Sequence, residues 1–65
     1  MRHYTAINDY NIHYSFEAEN DLLAKEFAEN KFSTPFERII IVENTNLDEP
    51  AQCGRIAWAN GKHIE

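Results

Sequence analysis

Three histidines and one cysteine are the side chains of this sequence that could support nucleophilic, acid–base or metal chemistry: His3, His13, His63 and Cys53. His3 and His13 fall on two segments expected to pair as strands, where Glu17 could complete a metal site or an acid–base pair. A metal site needs a further protein ligand at a suitable spacing, and the sequence offers none. A reactive Cys53 would need a cationic or histidine neighbour, which the sequence neither shows nor excludes. We therefore expect no catalytic residue and no metal or cofactor site.

Carboxylates are the most abundant functional groups, and two groups of them stand out. One lies where the second strand leads into a helix, and the other follows on the outer face of that helix. Acid–base catalysis by a carboxylate pair needs a cleft that shifts their pKa values, and so short a chain has little volume for one. The acids are then either a solvated surface or a patch that meets Lys and Arg on a partner. An exposed Leu22 and a hairpin-tip tyrosine complete the set of partner-binding candidates: Tyr10, Glu17, Glu19, Asp21, Leu22, Glu26 and Glu29.

Length and charge exclude several classes of protein. With 65 residues, the chain is expected to form one domain and is too short for a large multi-layer enzyme fold. Eleven acidic and six scattered basic residues give a net charge of −5, which disfavours direct nucleic-acid binding and suits a basic protein surface. No apolar run is long enough to span a membrane, and the first residues lack a signal-peptide hydrophobic region. These features predict a cytoplasmic protein without membrane contact.

Two segments, residues 2–7 and 11–18, alternate between apolar and polar side chains as half-buried strands do. The polar cluster between them predicts a turn, so the pair is expected to form a hairpin. An odd-length loop places Tyr4 beside Phe16 on the inner face. An even-length loop places Thr5 there instead, because a slip of one residue exchanges the two faces. We favour the odd loop because Tyr4 has the larger apolar body.

A helix is predicted over residues 21–31. Asn20 is a good N-cap, and Asp21 suits the positive end of the helix dipole. Leu22 falls near the polar face, and the Ser-Thr-Pro sequence at 33–35 ends the helix. The apolar face is formed by four residues, which are Leu23, Ala24, Phe27 and Ala28.

The second half of the chain predicts two more strands and a short return. Residues 36–45 form the strongest strand, because Ile39–Val42 is a continuous β-branched run. A polar surface loop follows, and then a strand over 54–59 with Ile56 and Trp58 on the same face. Asn60-Gly61 is a hairpin turn that leads to residues 62–65. The predicted fold is therefore α+β: an antiparallel sheet of four strands, with a small fifth strand left open, and one helix on one face.

One helix covers only one face of such a sheet. Either Ile39 and Ile41 or Ile40 and Val42 then point away from the helix, onto the open face. Exposed apolar patches on small proteins often mark interfaces, whereas long neighbours such as Arg38 and Arg55 could instead cover them. A homodimer that pairs through this face, as an antitoxin-like module would, is therefore an alternative function.

The order of these elements resembles a known family. Phe16-Glu17-Ala18 ends a strand, an acidic helix with Ala24-Lys25 and Phe27-Ala28 follows, and Phe32 closes it. A strand that ends in Glu-Asn and a final hairpin of the type Gly-x-x-Ala-Trp-x-x-Gly-Lys, Gly54 to Lys62, complete the pattern. This order is similar to that of small type I-F anti-CRISPR proteins of bacteriophages, and a similar strand–helix–strand block occurs in a small phage inhibitor of bacterial RNA polymerase.

The resemblance implies a non-enzymatic inhibitor that binds stoichiometrically to a host complex. Anti-CRISPR proteins of this kind occupy the basic DNA-binding surface of the CRISPR surveillance complex. The expected partner is therefore a host protein or nucleoprotein complex with a basic surface, in the host cytoplasm, and the net charge of −5 agrees with that role.

Overall fold

The computed structural model describes residues 1–44 and 54–64, which form an antiparallel sheet with one helix packed on one face. The spatial order of the strands is β2-β1-β3-β4-β5. The α+β fold class and the short fifth strand are thereby confirmed. The elements are β1 (Arg2–Ile7), β2 (His13–Ala18), α1 (Asp21–Lys31), β3 (Ile40–Asn44), β4 (Arg55–Ala59) and β5 (Lys62–His63).

The first hairpin has the odd-length loop that we favoured. Tyr4 lies opposite Phe16, and residues 8–12 form the connection. The Asn8 side chain orders this loop, because its Oδ1 accepts hydrogen bonds from the backbone N–H groups of Tyr10 and Ile12, both at 3.0 Å. The prediction was wrong for Ile12, which lies in the loop and is exposed instead of continuing the inner face of β2.

Helix α1 has the predicted limits and the predicted cap. Asn20 Oδ1 accepts a hydrogen bond of 2.9 Å from the N–H of Leu23. Only Ala24 and Ala28 are fully buried, since their small side chains let the helix lie close to the sheet. The larger residues of the apolar face, Leu23 and Phe27, remain on the flank of the helix, each 40% exposed.

Strand β3 begins later than predicted, because residues Phe36–Arg38 form a turn of 3₁₀-helix. Pro35 starts this turn and accepts a hydrogen bond of 2.9 Å from the N–H of Arg38. The turn brings the Phe36 ring edge-on against Trp58, with 5.6 Å between the ring centroids. Packing of the partly buried Phe36 against Trp58 favours the turn over an extended strand, and β3 begins only at Ile40.

Strand β4 contains an irregularity that overturns one prediction. Ile41 pairs with Trp58, but its neighbour Val42 pairs with Ile56, so Ala57 is an extra residue in β4. Trp58 therefore lies on the helix side of the sheet, while Ile56 lies on the other side. Gly54, just before β4, has a φ of 144°, and a Cβ there would lie 2.3 Å from the carbonyl oxygen of Glu43. Only glycine allows this approach.

The register also decides which isoleucines face away from the helix. Ile39 and Ile41 are fully buried in the core. Ile40 and Ile56 lie on the opposite face, 42% and 45% exposed, whereas Val42 on that face is buried.

The C-terminal hairpin turns at Asn60 and Gly61, both with positive φ, as predicted for that dipeptide. Strand β5 ends at His63, before the predicted limit. The predicted surface loop over 44–52 lies largely outside the described residues, as does Cys53. No described helix is long and apolar enough to cross a membrane.

Candidate functional site

A groove runs between the last residues of β2 and the outer flank of α1. It is a shallow depression of about 340 Å³. Three glutamates surround an apolar floor, so that charged and apolar groups meet on one exposed surface. We call this surface the acidic groove, and its lining residues are Met1, Glu17, Ala18, Glu19, Leu23, Glu26, Phe27 and Asn30.

Ring stacking against the sheet holds Phe27 in the floor of the groove. Phe27 lies parallel to Phe16, with 4.6 Å between the ring centroids, and to Tyr14 at 5.7 Å. The stack continues to Tyr4, whose ring lies 5.8 Å from that of Phe16. Phe27 is therefore fixed by its neighbours while 40% of its surface stays accessible. A rigid, partly exposed aromatic ring is a suitable anchor for a partner side chain.

The glutamates around the floor are available to a partner. Glu17 has 57% of its side chain exposed and lies 3.7 Å from the imidazole of His3. Within the described parts of the chain, Glu19 and Glu26 form no salt bridge, and both are exposed. Exposed carboxylates that lack a local cation keep their charge free to attract Lys or Arg from outside.

Asp21 takes part in a different arrangement, which we call the ionic hub. Its carboxylate is only 15% exposed, and it accepts hydrogen bonds from the Tyr4 hydroxyl at 2.7 Å and from Arg55 Nη2 at 2.8 Å and 3.0 Å. His63 Nε2 lies 2.7 Å from the same carboxylate. The hub comprises Arg2, Tyr4, Asp21, Glu43, Arg55 and His63.

These contacts change the acid–base properties of the hub. Burial alone would raise the pKa of Asp21, but hydrogen bonds from His63, Tyr4 and Arg55 outweigh it and lower the pKa to about 2. Burial raises the pKa of Tyr4 to about 12, and its hydrogen bond to the anionic Asp21 acts in the same direction. Asp21 is therefore a charged structural group at neutral pH, and Tyr4 is a neutral donor.

A second depression, of about 470 Å³, lies beside the hub. Its lining residues are Arg2, Asn20, Asp21, Leu22, Trp58 and His63. The two arginines of the hub, Arg2 and Arg55, are already paired with Asp21 and Glu43.

The predicted partner-binding residues thus lie in several places. The structure brings Glu17, Glu19 and Glu26 together in the acidic groove. Asp21 and Leu22 lie at the hub, and Glu29 pairs with Lys25 at 3.7 Å outside the groove. Tyr10 is 78% exposed at the tip of the first hairpin, beside a small depression with Asp9, Pro35 and Arg38. It lies at the far end of β2 from the groove.

The two histidines of the first hairpin do not meet. His3 lies opposite Glu17, whereas His13 lies opposite Ile7. The four positions between them along the strands correspond to roughly 13 Å. Among the described residues, no three His, Cys, Asp or Glu side chains form a group that could hold a metal ion.

Sequence reasoning missed the apolar part of the groove. It assigned Leu23 and Phe27 to the buried face of α1, because both share that face with Ala24 and Ala28. The two alanines could have indicated this exposure. A helix that packs on a sheet through alanines lies too close to the sheet to bury its larger neighbours as well. Met1 and Asn30 carried no such signal.

Comparison with known proteins identifies no relative of this chain. The chain matches no protein-family model, and neither the curated proteins nor the solved structures contain a significant match to it.

Proposed function

We propose that this chain is a non-enzymatic protein-binding module that inhibits its partner by docking the acidic groove on a basic surface. One observation carries the proposal: Glu17, Glu19 and Glu26 surround the exposed side chains of Leu23 and Phe27. This combination suits a partner surface on which Lys or Arg flanks an apolar side chain.

The two kinds of side chain contribute differently to binding. Carboxylates at the edge of an interface guide the encounter and select a basic partner, but exposed ion pairs add little affinity. Burial of the accessible part of Leu23 and Phe27 supplies most of the favourable free energy, at about 25 cal/mol per Å² of apolar surface. Binding should therefore depend on both the charges and the apolar floor.

A complex that normally holds nucleic acid is the proposed target, because its protein surface is rich in Lys and Arg. The glutamates would occupy the places of phosphates there. The CRISPR surveillance complex is the leading form of this target, with a phage-encoded inhibitor acting in the host cytoplasm, and RNA polymerase is the other. The pattern-level resemblance to phage inhibitors and the net charge of −5 support this assignment.

Charge reversal at one groove residue tests the proposal. The immobilised chain and its Glu26→Lys variant are exposed to lysate from bacteria with CRISPR systems, and the retained proteins are identified by mass spectrometry. We expect the chain to retain a basic nucleic-acid-binding complex in stoichiometric amounts and Glu26→Lys to lose it. Retention should also fall between about 0.1 M and about 1 M salt, where the Debye length shrinks from roughly 10 Å to roughly 3 Å.

Glu29→Lys is the matched control, since it makes the same charge change on the same helix but outside the groove. It should retain the complex as well as the original chain does. Equal loss in both variants would mean that net charge alone matters, and equal retention in both would refute docking through the groove.

A homodimer that forms through the sheet face opposite α1 is the second candidate function, as an antitoxin-like regulatory module would require. The observation that favours it is the exposure of Ile40 and Ile56 on that face, where Ile40 also lies opposite Ile7 on β1. The three isoleucines lie on the same face of three neighbouring strands, with Ile56 opposite Val42, and exposed apolar patches often mark interfaces in small proteins.

A further inference from the structure

Strand β2 is an edge of the sheet. It pairs with β1 over all six of its residues and has no other neighbour among the described strands. In an antiparallel pair, alternate residues direct their N–H and C=O groups toward the neighbour, and the others direct theirs outward. The register is regular, and residues 13–18 contain no proline. The opposite edge, β5, is only two residues long.

The acidic groove begins at this edge. Glu17 and Ala18 of β2 belong to its lining, and Phe27 of its floor stacks on Phe16 and Tyr14 of the same strand. A strand added beside β2 would lie about 4.8 Å away, with alternate side chains on the helix side of the sheet. Those side chains would meet the accessible surface of Phe27 and Leu23.

The charges along the edge decide which chain fits there. Glu17 lies on the sheet face away from α1, while Glu26 lies on the helix, so carboxylates flank the C-terminal end of β2 on both faces. Nearer the other end of the strand, Lys31 lies 4.5 Å above the ring of Tyr14. An added strand with Lys or Arg would pair with the carboxylates. A second copy of this chain carries the same net charge of −5, which opposes its approach to an acidic edge.

From these three features we infer that the partner contributes an extended, basic segment that joins the sheet as a sixth strand along β2, with apolar side chains over Phe27 and Leu23. This inference rests on the proposed function, since it names the chemistry of the segment that enters the acidic groove. Main-chain hydrogen bonds to β2 would supply affinity, and alternate side chains would supply specificity.

A synthetic peptide tests the inference. The probe is a ten-residue peptide in which Lys alternates with Val, added to the ¹⁵N-labelled chain. We expect amide hydrogen exchange to slow roughly tenfold or more at alternate residues of β2, where the outward N–H groups gain acceptors. The same peptide with N-methyl groups on its six central residues keeps its side chains and charges but lacks the backbone N–H donors of those residues. It should bind roughly tenfold more weakly, because several hydrogen bonds are lost.

Each other outcome has a distinct meaning. If both peptides bound equally and hydrogen exchange in β2 stayed unchanged, strand addition would be overturned. If Glu26→Lys then abolished that binding, the acidic groove would still be the docking surface. No binding of the unmodified peptide would overturn strand addition, and the lysate experiment would then decide the proposed function separately. Protection of β2 that rises with protein concentration in the absence of peptide would assign the edge to a second copy and overturn the inference.

Discussion

The Asp21 carboxylate links the start of α1 to three strands. Tyr4 belongs to β1, Arg55 to β4 and His63 to β5, and all three contact it at 2.7–2.8 Å. The indole N–H of Trp58 also donates a hydrogen bond of 2.9 Å to the backbone carbonyl of Asp21. One side chain therefore fixes the position of the helix over the sheet, and with it the position of Phe27 in the groove.

Asp21 should make stability depend on pH in the acidic range. Its pKa is about 2 in the folded chain, below the ordinary value of 3.8, so its stabilising effect is complete above about pH 4 and is lost as the pH falls toward 2. The difference in pKa corresponds to about 2 kcal/mol. Urea unfolding of the chain and of Asp21→Asn should show a stability difference that shrinks by about this amount between pH 6 and pH 2.

A stability difference between the two chains that stays constant with pH would contradict this role. The Asp21→Asn variant removes the titrating group itself, so the carboxylates outside the ionic hub affect both proteins alike and cancel from the comparison.

Among the contacts of single residues, the sequence predicted those between neighbours along the chain. The Asn20 cap and the Asn60-Gly61 turn depend on neighbouring residues, and both were predicted. The partners of Asp21 were not, because Arg55 and His63 are 34 and 42 residues away from it along the chain. Only the strand order brings them together.

Helix α1 lies close to the sheet because it presents alanines to it. Ala24 and Ala28 are fully buried, and the aromatic stack fills the space along the flank of the helix. A larger side chain at either alanine would push the helix outward and disturb the stack on which the floor of the groove depends.

Ala28→Leu should therefore destabilise the chain by about 1–3 kcal/mol, the usual cost of overpacking a close-packed site. Glu29→Leu adds the same side chain at the next, exposed position and should change stability by less than about 0.5 kcal/mol. Thermal or urea unfolding of the two variants checks this. Equal stability of both would mean that the helix can move away from the sheet without cost.

The elements themselves were predicted well wherever periodicity carried the information. Alternation over residues 2–18 predicted the first hairpin and favoured the correct register. The turn at Phe36–Arg38 and the extra residue Ala57 in β4 were missed, because neither has a local pattern. The first depends on the contact between Phe36 and Trp58, and the second on the pairing of β4 with β3.

At the scale of the whole molecule, the acidic residues of the ionic hub and those of the acidic groove have different roles. Asp21 and Glu43 neutralise Arg2 and Arg55 within the ionic hub. In the described part of the chain, Glu19 and Glu26 of the groove form no salt bridge with Lys or Arg, and Glu17 contacts only the imidazole of His3. The sequence predicted an acidic surface near the start of α1, but only the fold divides those acids between structure and surface.

The sheet face opposite α1 provides a test between the two candidate functions. Under the proposed function, Ile40→Lys should leave the sedimentation coefficient and the retention of the partner complex unchanged, because Ile40 lies away from the groove. Analytical ultracentrifugation over a range of concentrations measures the first. A dimer that Ile40→Lys dissociates would instead support pairing through this face, and Glu26→Lys should leave such a dimer intact.

The position of Trp58 has a practical consequence for all of these measurements. It is the only tryptophan of the chain, it is buried on β4, and its ring lies 4.9 Å from that of His63. Its fluorescence emission should shift to longer wavelength when unfolding exposes the indole to water. The groove lies beside β2, which is three strands away from β4 in the sheet. A bound peptide without tryptophan should therefore leave the emission of Trp58 unchanged. The same sample can then report folding through its emission and binding through an independent signal.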